Sequence, residues 1–174
     1  MRVVIAYIIA SLFVFVSCGD NASRNQHDNK SKDLKESLEK ANRALICDEE
    51  SDINNYIRRH GLKVHETGTG LRYQIIEQGE GVKVKEGDVV TLEYSLYSIT
   101  GDKIYSSEDL GPKVFVVGRS EAEKGLHEAV LYMRCGDRAK VILPAHLGYG
   151  LMGDMNEIPP RAILIYDITI VKVI

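Results

Sequence analysis

The chain has 174 residues, 44% of them hydrophobic and 27% charged, with 22 basic residues against 25 acidic ones. That is enough apolar content for one compact domain plus an appendage, and too much for a disordered polymer. A formal charge of −3 with no cluster of Lys and Arg excludes a nucleic-acid footprint, because phosphate binding needs positive charge in local excess.

The first residues, "MRVVIAYIIASLFVFVSCGD", place Arg2 ahead of an unbroken apolar stretch that ends in Ser17 and Cys18. A positive start and a short apolar run form a secretory signal. The run falls short of the ~20 apolar residues that cross a bilayer comfortably. "FVSC" resembles the bacterial lipobox, which implies cleavage after Ser17 and lipidation of Cys18; the alternative is a signal anchor that is never cleaved. Either way the remainder leaves the cytoplasm. A membrane-anchored location at the cell envelope is expected, facing the periplasm, and Gly19 in place of Asp after Cys18 favours the outer membrane over the inner. Cys47 and Cys135 remain, and an oxidising envelope permits a disulfide that their spacing does not establish.

Residues 18–32 are polar, with no aromatic or β-branched residue, and read as a tether. From Asp33 the pattern becomes helical: Leu34, Leu38, Ala41 and Leu45 recur at helical spacing, and Ile53, Tyr56 and Ile57 follow before Gly61. The expectation is a lead-in over 33–61 made of two short amphipathic helices, Asp33 to Ile46 and Glu49 to Arg59. Their apolar stripes are modest, so they must lean on the domain, on each other or on a partner, a homodimer arm included.

Residues 62–174 follow the grammar of strands. Strands are expected at Leu71 to Glu77, Val89 to Ser98, within "PKVFVVG", at Arg138 to Leu143 and at Ala162 to Val173, with "TGDK" as a hairpin-like turn. One helix is expected within "EKGLHEAVLYM", ended at Gly136 in a left-handed cap. Strands on both sides of one helix, joined by turns rather than βαβ crossovers, predict an α+β fold: an antiparallel twisted sheet packed on a central helix.

Covalent and metal chemistry find no foothold in the sequence. The five histidines do not fall at metal-ligand spacings, there is no HExxH or CxxC, and the nucleophile elbow G-x-S-x-G is absent. No cofactor is implied. What stands out is a scattered set of large residues at strand ends and turns: Tyr94, Tyr105, Phe115, Tyr149, Ile158 and Tyr166. Each reads singly as core. Tyr149 fits that reading least, because it lies in a turn between Gly148 and Gly150.

"MRCGDRAKVILPAHLGYG" followed by "EIPPRAILIYDITIVKV" resembles the C-terminal half of an FK506-binding-protein (FKBP) type peptidyl-prolyl isomerase, and "GDVVTLEYSLYSITGDKIYSS" resembles its N-terminal half. The match runs from about Lys83 to Val173. With the lipobox and helical lead-in, the chain most resembles the gliding-motility-associated FKBP lipoproteins. The resemblance implies cis–trans isomerisation of proline-containing polypeptides, assisting the folding of exported proteins. It implies catalytic roles for Tyr149, Tyr94 and Tyr166, and a substrate-binding wall of Ile104, Tyr105, Phe115, Glu123, Leu126 and Ile158, with the backbone N–H of Glu123 as a carbonyl donor. In three places the family's pattern is altered. A Phe-Asp pair stands here as Ile104-Tyr105, an aromatic next to Pro112 is Lys113, and a Val-Ile pair before Gly125 is Ala122-Glu123; the floor tryptophan is Leu126. A working isomerase is therefore one reading. The other is an FKBP-fold chaperone or scaffold with weak or no catalysis that binds envelope partners.

Overall fold

The structure, a computed structural model, describes residues 21–119 and 122–174, so the expected signal sequence, cleavage site and lipidated Cys18 lie outside the described residues. The described residues fall in two units that divide between Ile46 and Cys47. The second contains the later part of the expected lead-in, from Cys47, together with residues 62–174.

Where a tether and two helices are expected, one helix, α1, covers Asn21–His60. Only Cys47 and Asp48 separate the two apolar patterns, and no Gly or Pro occurs between Asn21 and His60 to break the backbone ladder. The end is well defined. Gly61 has φ 61°, its N–H donates to the Arg58 carbonyl at 3.3 Å, and the Leu62 N–H donates to the Ile57 carbonyl at 3.1 Å, the paired closure of a Schellman motif. Within the first unit, Leu34, Leu38, Leu45 and Ile46 are all exposed, the first two at 61%.

The second unit holds a seven-stranded sheet. Its strands are β1 (His65–Glu66), β2 (Arg72–Glu77), β3 (Val89–Ser98), β4 (Lys103–Ser106), β5 (Lys113–Val116), β6 (Arg138–Leu143) and β7 (Leu164–Val173). The spatial order is β1-β2-β6-β7-β3-β4, with β5 also against β3, and every pairing is antiparallel. Strands β4 and β5 share one edge of β3: β4 faces Ser95–Tyr97 and β5 faces Val89–Leu92. Between them, opposite Tyr94, lies the short helix α2 (Ser107–Leu110). The Ser107 hydroxyl accepts from the Tyr94 N–H at 3.1 Å and donates to its carbonyl at 3.3 Å, so a side chain fills the gap in the ladder.

Helix α3 (Lys124–Val130) packs on one face of this sheet. It stops earlier than expected. Leu131, Tyr132 and Met133 donate to carbonyls three residues back, a tightened exit, and Gly136 at φ 91° shapes the next turn instead of capping the helix. Period-2 alternation sends Val90, Leu92, Tyr94 and Leu96 of β3, and Tyr166, Ile168 and Ile170 of β7, toward that helix in one buried core.

The opposite face is covered as well. Ile53 and Tyr56 of α1 pack on Ile142, Ile163 and Ile165 in a second buried cluster, which explains why "VIL" and "ILIY" read as continuous apolar runs. Two carboxylates fix this stretch of α1. The Glu49 side chain accepts from the Ala145 N–H at 2.5 Å, and Glu50 accepts from Arg72 at 2.7 Å, with Arg72 itself buried and also paired to Glu66. Cys47 and Cys135 are both free thiols. No described helix is long and apolar enough to cross a membrane.

Candidate active site

The expected residues converge. Tyr94 from β3, Phe115 from β5, Leu126 from α3, Tyr166 from β7 and Ile158 from the long β6–β7 connection are buried in one cluster, with Ile104, Tyr105 and Tyr149 partly buried against it. The Tyr94 and Tyr166 rings lie 6.0 Å apart, tilted by 52°. Phe115 meets His127 of α3 edge to face at 5.1 Å, and the His127 Nδ1 accepts from the Gly118 N–H at 3.0 Å, which sets the ring's orientation. Tyr149 stands where its flanking glycines put it. Gly150 has φ 64°, a left-handed conformation that favours glycine, and a Cβ on Gly148 would need the Leu164 side chain to shift from 2.9 Å.

The centre of the site is charged, at the positions Lys113 and Glu123 where the family's apolar pattern is altered. Glu123 occupies the N-cap position of α3 yet makes no side-chain bond to that helix. Its carboxylate turns inward instead. Oε1 accepts from the Tyr149 hydroxyl at 2.7 Å and from the Tyr166 hydroxyl at 2.7 Å, while Lys113 Nζ donates to Oε1 at 2.8 Å and Oε2 at 2.7 Å. The Glu123 side chain is 5% exposed and that of Lys113 25%. Lys113 Nζ also lies 5.7 Å from the Tyr94 ring centroid. Beside the backbone N–H expected to donate, Glu123 contributes a side chain that organises the cleft: a carboxylate next to two phenols and an ammonium is better satisfied inside than as a lone cap outside.

The electrostatics follow. Burial pushes the Glu123 carboxyl up, but the Lys113 ammonium and then the Tyr149 phenol outweigh it and hold it below the usual carboxylate range. Burial, then the Glu123 charge, push the Tyr149 and Tyr166 phenols well above their ordinary value, and the Tyr94 phenol moves the same way. All three stay protonated donors across the neutral range. An open cleft of ≈ 410 Å³ reaches this cluster, lined by Lys113, Ala122, Glu123, His146 and Tyr149 among others.

A second carboxylate at the site has no counterpart among the expected residues. The Tyr105 hydroxyl donates to Asp154 Oδ2 at 2.5 Å and accepts from Asn156 at 3.0 Å, while Asp154 Oδ1 accepts from the N–H groups of Asn156 at 2.9 Å and Ile158 at 2.8 Å. The Asp missing after Ile104 is answered by an Asp from the β6–β7 connection, which ties Tyr105 to Ile158. The Asp-x-Asn spacing in "DMNEI" is an Asx-turn signal that could have revealed it. Among the described residues, no group of three or more His, Cys, Asp or Glu is placed to hold a metal ion.

An antiparallel sheet packed on one short helix, with phenols gathered at a cleft beside the helix start, defines an FKBP-type α+β domain. The chain belongs to the FKBP-type peptidyl-prolyl cis-trans isomerase family, whose profile matches residues 80–171. It is 38% identical to FK506-binding protein 2 of Dictyostelium discoideum over 93 residues, covering 53% of this chain and 70% of that one. It is 35% identical over 125 residues to the probable FKBP-type peptidyl-prolyl cis-trans isomerase FkpA of Neisseria meningitidis serogroup B, covering 71% of this chain and 44% of that protein. The chain thus spans less than half the length of that relative. Among solved structures it resembles FkpA from Escherichia coli, with TM-score 0.64 and 24% identity over 99% of this chain and 81% of that one, a likeness of fold.

Proposed function

We propose that the protein is a peptidyl-prolyl cis–trans isomerase acting on exported, proline-containing polypeptides at the cell envelope. The observation that carries the activity is the pair of phenols, Tyr149 and Tyr166, held on one carboxylate at an open cleft and backed by a buried cluster of Tyr94, Phe115, Leu126 and Ile158. Resonance gives the X-Pro bond a rotational barrier of ~18–20 kcal/mol, and the twisted transition state loses the charge separation of the planar imide. Apolar walls destabilise the planar form relative to the twisted one, and a phenol donor holds the bent carbonyl, so neither nucleophile nor general base is needed. In this chain the substrate carbonyl must take the Tyr149 hydroxyl over from Glu123. Each 1.36 kcal/mol of that competition changes the rate about tenfold.

The test follows cis-to-trans relaxation of a proline tetrapeptide with purified protein. Acceleration that is lost in Tyr149→Ala and blocked by a macrolide pocket ligand is the expected result; no acceleration by well-folded wild type rejects the activity. A second reading, an FKBP-fold chaperone or scaffold, is favoured by one feature: Glu123 already holds both hydroxyls. Retained capture of envelope partners without isomerase activity would select it.

The lipobox-like "FVSC" supports lipidation at Cys18 and an envelope location, on the outer membrane in preference to the inner and facing the periplasm. Mass spectrometry of the membrane fraction tests this, since an unmodified cytoplasmic chain contradicts it. The same leader and the helical lead-in support placement with the gliding-motility-associated FKBP lipoproteins. The exposed Leu34, Leu38 and Leu45 lie at helical spacing and suit a homodimer arm; light scattering with and without residues 20–46 distinguishes dimer from monomer.

A further inference from the structure

We propose that the cleft is a cation seat: it selects polypeptides carrying a lysine or arginine beside the proline, whose charged group takes the place on Glu123 that Lys113 holds here. The inference rests on the isomerase reading of the cleft and names its substrate class.

The argument is one of charge conservation in a buried site. Glu123 Oε1 is shared by two phenols and Lys113, whereas the hydrogen bond found at Oε2 comes from Lys113. Phenols donate hydrogen bonds without cancelling charge. If a substrate displaces Lys113 with an apolar group, a carboxylate with 5% exposure loses its counter-ion, which is strongly unfavourable. If the substrate brings its own cation, the number of buried charges is unchanged and one ammonium replaces another. Lys113 is suited to leave. It sits at the start of β5 on the sheet edge, it is the more exposed partner, and only Gly111, which caps α2, and Pro112 join it to that helix.

The seat has further features that favour a cation. The Tyr94 ring lies 5.7 Å from the ammonium position, at the distance where an aromatic face attracts positive charge. The two carboxylate oxygens match the fork of a guanidinium as well as the point charge of an ammonium. Lys124 and His146 also line the cleft, but both are exposed, so water and salt screen what they contribute.

The experiment compares tetrapeptides Ala-Xaa-Pro-Phe, with Xaa as Lys, Leu or Glu, on the purified protein, reading both cis–trans exchange and peptide binding by NMR. Wild type is expected to favour the Lys peptide over the Leu peptide by about tenfold in kcat/KM, with Glu the poorest. Glu123→Gln should bring the three within about threefold of one another, since the amide keeps the phenol bonds and loses the charge. Equal rates for all three peptides in wild type, or a preference for Leu, overturn the proposal while leaving the isomerase reading in place. Selective binding of the Lys peptide without exchange of any peptide does the reverse. The wild-type series decides the matter even where the variant fails to fold.

Discussion

A carboxylate with 5% of its side chain open to water stays ionised only if its surroundings supply what water would have supplied. At Glu123 two phenols and one ammonium do so, and the loss of each has a different consequence. Lys113→Met strands the charge and should cost about 3 kcal/mol, as breaking a buried pair does. Glu123→Gln keeps an acceptor for the phenols and frees Lys113 into water, so about 1–2 kcal/mol is expected. Urea unfolding should rank them in that order; the reverse order contradicts the buried-pair account. The pH dependence has a definite sign. The folded carboxyl is held below its ordinary value, so it stabilises the fold above an unfolded pKa of about 4.3 and loses that contribution as pH falls through the folded value. The raised phenols act oppositely, adding stability below about pH 10 and losing it as pH rises beyond. Stability should therefore fall in acid below about pH 4.3, with a shallower acid limb in Glu123→Gln. An unchanged acid limb in that variant contradicts the assignment. The positions Lys113 and Glu123 are visible in the sequence as departures from an apolar wall. Their pairing is not, because the chain between β5 and α3 must bring the strand against the helix start before one side chain meets the other, ten positions along.

At the scale of elements, most strands are legible because period-2 alternation is set by the sheet's two faces. Arg138–Leu143 and Val89–Ser98 appear where the pattern puts them. The pieces that escape are those whose pattern is borrowed from elsewhere. Strand β4 and helix α2 are too short for any period, and they exist because β3 leaves an edge open on either side of Tyr94. Helix α1 is read as two because its apolar residues change partners along its length: exposed at Leu34 and Leu38, buried at Ile53 and Tyr56. A periodicity argument registers that change as a break. The stretch from Cys47 to His60 should behave as part of the second unit. Removal of residues up to 46 is expected to leave its melting temperature nearly unchanged, whereas removal up to 61 deletes Glu49, Glu50, Ile53 and Tyr56 and should lower it sharply. Ile53→Ala alone should cost about 2–5 kcal/mol. Equal melting temperatures for both truncations contradict a structural role for α1 on the sheet.

The whole molecule combines a family fold with a cleft whose electrostatics depart from an apolar pocket. The fold places three phenols, Phe115, Leu126 and Ile158 together as the resemblance implies, and this part was legible because each lies at a motif position. The Lys113–Glu123 ion pair and the Asp154 tie to Tyr105 join residues far apart or unremarked in the sequence, and only folding reveals their effect on the cleft. On the proposed activity, such a site exchanges an internal carboxylate for a substrate carbonyl before it acts. The most direct test of that claim is two-site exchange NMR on a proline peptide at substoichiometric protein. Exchange cross-peaks between cis and trans forms, appearing with wild type and much weakened in Tyr149→Phe, are the result predicted. Spectra identical to those of the free peptide, from protein whose own amide spectrum is that of a folded domain, would contradict it.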